Sequence, residues 1–73
     1  MEILVMITTE SSNENALRIA KSLIKNKLAA CVSIKQVFSI YEWDDDIEET
    51  KEFEIIIKSK LEFKDYLLSL IHI

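Results

Sequence analysis

LAACVSIKQVFSIYEWDDDIEETKEFEIIIKS, residues 28–59, is the stretch that decides the fold. Val32, Ile34, Phe38 and Ile40 lie at even spacings, and Cys31, Ser33, Lys35, Val37, Ser39 and Tyr41 take the other parity, the period-two pattern of a strand over residues 28–43. A second β-type run, 47–59, groups Phe53, Ile55 and Ile57. Between the runs stands Asp44-Asp45-Asp46, a turn signal in which Asp tolerates the left-handed backbone that Gly adopts at lower cost. The spacing therefore predicts one long β-hairpin.

Its length has a consequence. The sixteen residues from 28 to 43 would span ~50 Å as a straight strand at ~3.3 Å per residue. A compact globule of 73 residues has a radius of gyration of ~11 Å and a diameter of about 30 Å. The hairpin must overhang or bend, and a two-stranded ribbon alone in water is marginal. With Ile40, Tyr41, Trp43 and Ile47 near its tip, it is expected to lie against a neighbouring copy.

Upstream, Ile3-Leu4-Val5-Met6-Ile7 is unbroken by any polar residue, which predicts a strand buried on both faces in mid-sheet. Ser11 and Glu14 have capping-box spacing, and Ala16, Leu17, Ile19, Ala20, Leu23 and Ile24 repeat at helical intervals. Lys21, Lys25 and Lys27 at the end of that helix offset the negative pole of its macrodipole. Downstream, Ser59 and Glu62 repeat the capping spacing before Phe63, Tyr66, Leu67, Leu70 and Ile71. The order strand, helix, strand, strand, helix is an α+β, ferredoxin-like split βαβ fold (βαββα) with its last strand missing. That strand would cover one edge of residues 3–7, an apolar, uncharged edge of the kind natural proteins avoid exposing. The chain thus reads as the N-terminal part of a longer domain. Residues 1–67 form the truncated domain. Residues 68–73, LSLIHI, are what CTG TCT CTT ATA CAC ATC encodes, a string resembling the end of a transposase adaptor, and are expected to be a sequencing-adaptor scar.

Composition narrows the function classes. Nine basic against thirteen acidic side chains leave a net charge of −4, the opposite of the basic footprint of a nucleic-acid binder. No apolar run approaches the ~20 residues that cross a bilayer, so no membrane role is expected. One Cys and no signal-peptide pattern favour the cytoplasm. Arg18 is the only arginine, no Gly-rich phosphate loop exists, and His72, the one histidine, falls in the suspected scar. No enzyme is therefore expected. An acylphosphatase-like enzyme would need an anion-cradling loop after the first strand, where Thr8-Thr9-Glu10-Ser11 is acidic and Gly-free.

Two motifs carry a family resemblance. Leu28-Ala29-Ala30-Cys31-Val32 matches the "LAACV" helix-to-strand segment of the CutA family, the divalent-cation tolerance proteins, and residues 39–49, SIYEWDDDIEE, resemble its hairpin "SIYWWEGKIEE". Lys51-Glu52 and Ile55-Ile56-Ile57-Lys58-Ser59 are similar to the "E…LIIKT" strand that follows. The resemblance runs from about residue 3 to residue 59. It implies the ferredoxin-like fold, a homotrimer, and a link to copper and other divalent metals without an established reaction. The family's second hairpin aromatic is Glu42 here and its turn Gly is Asp45. The "HPYE.PEI" motif after the second helix is not present, and where some members bear a Cys ligand this chain has Thr8, a hard, weak donor.

Cys31 is the one metal-ligand candidate. As a small buried hydrophobe it needs no function; as a thiolate it could bind copper or another divalent metal, with ligands supplied from another copy or from missing residues. No cofactor is otherwise required. Glu42, Asp44, Asp45, Asp46, Glu48, Glu49, Glu52 and Glu54 could collect hard divalent ions weakly, but they lack the EF-hand Gly and spacing and read first as a solvated face. Tyr41 and Trp43 read as packing aromatics. The rival function is a small-molecule-binding regulator of the PII type, which shares this architecture.

Overall fold

A computed structural model describes residues 2–71 of the chain. The elements are β1 (Ile3–Glu10), α1 (Asn13–Lys25), β2 (Cys31–Trp43), β3 (Asp46–Lys60), a 3₁₀ turn (Leu61–Phe63) and α2 (Lys64–Ile71). The sheet order is β1-β3-β2, with β3 antiparallel to both neighbours. β1 and β2 therefore run parallel on either side of β3, joined through α1, which is the split βαβ arrangement expected from the element order.

One parity of the sheet faces the helices. Ile55 and Ile57 are fully buried with Ala16 and Leu23 of α1 and Leu67 of α2; Leu4, Met6, Val32, Ile34 and Phe53 pack around them. Val32↔Ile57 and Ile34↔Ile55 are direct cross-strand pairs, so the even positions of β2 join the odd positions of β3 on this face. Tyr66 and Leu70, expected on the buried side of the second helix, are exposed instead; Leu67, with Phe63 and Ile71 partly buried beside it, forms the face that meets the core.

The opposite face has no cover. Ile3, Val5 and Ile7 are 73%, 55% and 60% exposed. β1 is an edge strand whose even residues reach the core and whose odd residues face outward. The expected two-sided burial of residues 3–7 is thus incorrect for the chain alone: the run is apolar on both faces, and both helices lie on one.

Two caps differ from expectation. Ser12, not Ser11, caps α1; its Oγ accepts from the Asn15 amide at 3.0 Å, which puts Asn15 and not Glu14 at the third helical position. Glu14 remains in the first turn, where its charge favours the helix start. Ser59 caps nothing. It is buried at the end of β3, and its hydroxyl donates to the Leu28 carbonyl, so the turn into α2 carries no side-chain cap. A buried hydroxyl must find a partner, and that requirement outweighs the capping pattern.

The hairpin overhangs as its length predicts. β1 pairs β3 only from Phe53 to Lys60, so residues 37–43 and 46–52 form a ribbon of two strands. The molecule measures 45 × 22 × 20 Å, with a radius of gyration of 13.8 Å. Asp44 and Asp45 hold φ of 50° and 64° between the Trp43↔Asp46 pair. A two-residue turn with both φ positive matches the strand twist, and here it forms without Gly.

Candidate functional site

Cys31 opens β2, immediately after the loop that closes α1. Lys27 takes a left-handed φ of 59°, its amide donates to the Ile24 carbonyl, and the Leu28 amide donates to the Leu23 carbonyl. This Schellman arrangement ends the helix and delivers the chain to the sheet. Ala30 N–H then bonds the Lys58 carbonyl at 2.8 Å, which fixes Cys31 opposite Lys58.

The thiol is exposed, not buried. Its odd parity puts it on the open face of the sheet, where its cross-strand neighbour is Lys58 and its neighbour along the strand is Ser33. Neither is a metal ligand of the kind a soft thiolate site collects. Among the described residues no group of three or more His, Cys, Asp or Glu comes together. His72 lies outside the described residues.

The hairpin carboxylates are strung out rather than gathered. On β3, Asp46, Glu48, Glu52 and Glu54 share the open-face parity, while Glu49 takes the other. Alternate residues along a strand are ~6.6 Å apart, and among the described residues no three of these carboxylates converge on one point. Glu54 meets Lys35 across the strands at 4.0 Å. Thr8, at the family's Cys position, is half-buried on the helix side of β1.

Apolar surface is what the geometry does concentrate. On the open face, Ile7 pairs with Ile56 while Val5 and Ile3 lie opposite Lys58 and Lys60, and Val37, Tyr41 and Trp43 continue that face along the ribbon. The other face of the ribbon carries Phe38, Ile40 and Ile47, the last 80% exposed. Tyr41 Oη lies 3.0 Å from Thr50 Oγ1 on the neighbouring strand. Both faces of the overhang thus expose large apolar side chains, interleaved with carboxylates. The open face of β1 escaped the sequence reading, although the signal was present: a run of five apolar residues does mark two apolar faces, but not which molecule covers the second.

No described helix is long and apolar enough to cross a membrane. The sequence profile of the CutA1 divalent ion tolerance proteins matches residues 3–72. The divalent-cation tolerance protein CutA of Archaeoglobus fulgidus is 46% identical over 54 residues, covering 74% of this chain and 53% of that protein. Its counterpart from Thermus thermophilus is 42% identical over 60 residues, covering 81% and 57%. The chain therefore spans little more than half the length of these relatives. The crystal structure of CutA1 from Shewanella sp. SIB1 superposes with a TM-score of 0.87 at 38% identity, over 96% of this chain and 66% of that one. CutA from Synechococcus elongatus gives 0.88 at 30% identity, over 94% and 62%. The α+β ferredoxin-like topology, the hairpin motifs and these matches agree: the chain belongs to the CutA1 divalent ion tolerance protein family.

Proposed function

We infer that the protein serves divalent-metal tolerance in the cytoplasm as a homotrimer, holding copper or another divalent ion at positions completed between copies, with Cys31 as one ligand and without catalysis. The observation that carries this is the ribbon's two apolar faces together with the open face of β1. A dimer related by a two-fold axis uses one self-complementary patch. Here a hairpin with distinct apolar faces and a separate apolar sheet face call for different surfaces to meet, which is the condition for a closed ring. Three as the number comes from the family resemblance. The Cys31 thiol shares the open face with Ile3, Val5 and Ile7, which supports the reading that further ligands come from whatever covers that face.

The support for a cytoplasmic site is the lone free thiol; one solved relative, CutA of Archaeoglobus fulgidus, is described as periplasmic. Titration with Cu(I) and with Zn²⁺, read by native mass spectrometry, tests the metal assignment. Cys31→Ser is expected to weaken Cu(I) binding ~10-fold or more, with metal bound to oligomers and not to monomers. Unchanged affinity in the variant removes Cys31 as a ligand. A thermal-shift comparison addresses the class: stabilisation by Cu²⁺ or Zn²⁺ supports metal binding, and stabilisation by nucleotides alone supports a PII-type regulator.

A further inference from the structure

A cleft of about 440 Å³ opens on the helix side of the molecule, where the end of β1 meets α1 and the last turn of α2. This is within the size range of small-ligand sites, ~300–1,000 Å³. Its apolar lining is Ile19 and Leu23 of α1 with Leu70 and Ile71 of α2, and its polar lining is Thr8, Glu10, Arg18 and Ser22. Every polar residue of the lining lies on β1 or α1, and α2 supplies only apolar wall.

The rim charges are uncommitted. Among the described residues, neither Glu10 nor Arg18 takes part in an ion pair, with each other or with anything else. Arg18 gives one N–H to Asn15 Oδ1 at 3.3 Å and keeps the rest of its five-donor fork. Ser22 Oγ accepts from Asn26 and retains its own proton to donate. In a chain whose other eight basic residues are all lysine, the single guanidinium stands at this cleft. Its planar fork suits a carboxylate in a way a lysine ammonium does not. Glu10, half-buried and acceptor-only when ionised, suits an ammonium.

We propose that this cleft binds a free α-amino acid with an aliphatic side chain. The carboxylate meets Arg18 and the Ser22 hydroxyl, the ammonium meets Glu10, and the side chain lies on Ile19 and Leu23. The site is on the opposite face of the sheet from Cys31, so it stands apart from the metal assignment.

Amide chemical-shift titration of the protein tests it with three probes: L-leucine, leucinamide, which lacks the carboxylate, and 4-methylpentanoate, which lacks the ammonium. L-leucine is expected to shift the Thr8, Glu10, Arg18 and Ser22 amides saturably, and each single-charge probe to bind ~10-fold or more weakly. Arg18→Gln should weaken leucine and 4-methylpentanoate but leave leucinamide unchanged; Glu10→Gln should weaken leucine and leucinamide only. No saturable shift with leucine up to ~10 mM, a range well beyond millimolar affinity, overturns the proposal. Equal shifts from all three probes overturn it as well, and that comparison needs no variant to fold.

Discussion

In a chain with no glycine, three of the described residues hold left-handed backbone: Lys27, Asp44 and Asp45. Each non-Gly residue in that region costs roughly 1–2 kcal/mol, partly offset by the entropy that Gly itself would lose. Asp45→Gly gives an Asp-Gly turn, a favoured pair for a two-residue hairpin with both φ positive. It is expected to stabilise the fold by about 0.5–1 kcal/mol, several degrees in Tm for a domain of this size. Lys27→Gly should do the same at the end of α1, and a fall in Tm for both variants would show that these turns are not strained. Ser59 is the opposite case. Ser59→Ala leaves the Leu28 carbonyl without its donor and is expected to cost about 1–2 kcal/mol in denaturant unfolding. At this scale the sequence was only partly legible. Ser11 has the capping-box spacing to Glu14, yet Ser12 is the cap, because its Oγ reaches the Asn15 amide. Ser59 matched a cap equally well and is drawn instead into a part-buried bond to the loop that leads into β2. Cys31 looked like a buried hydrophobe because its parity within the strand does not say which face the helices cover.

Among elements, alternation in β2 and β3 named the hairpin and its turn correctly, because every residue from Cys31 to Trp43 keeps one register with β3 and no bulge interrupts the parity. What alternation could not supply was cover. Phe38 and Ile40 share a face with Val32 and Ile34, but the helices end before reaching them. β1 shows the same limit, since its outward residues are as apolar as its inward ones. Ile7→Lys therefore separates the two roles of that strand. It sits on the open face, outside the core, so helical and sheet circular dichroism should persist while self-association is lost. Unfolding of the variant at a concentration where it is monomeric would mean instead that Ile7 supports the fold of the single chain. On the ribbon, Trp43→Ser is expected to weaken association without shifting the Lys35–Glu54 region, read as amide shifts confined to the hairpin tip.

The whole molecule is an elongated body, 45 Å along one axis and about half that along the others. Among the described residues five apolar side chains are fully or nearly fully buried and form a small core, while many large apolar side chains stay exposed. Fully burying a Val, Ile or Phe side chain contributes about 1.5–3 kcal/mol, so covering Ile3, Val5, Ile7, Phe38, Ile40 and Ile47 together would stabilise the chain by an amount comparable to the ~5–15 kcal/mol that holds a typical domain folded. Stability and assembly should accordingly be one property, with Tm rising as protein concentration rises. Sedimentation equilibrium of the protein across the micromolar range tests this most directly. A mass three times that of the chain, falling toward the monomer only on dilution, is the predicted result. A folded monomer at every concentration, its ribbon stable in water with both apolar faces wet, would contradict it.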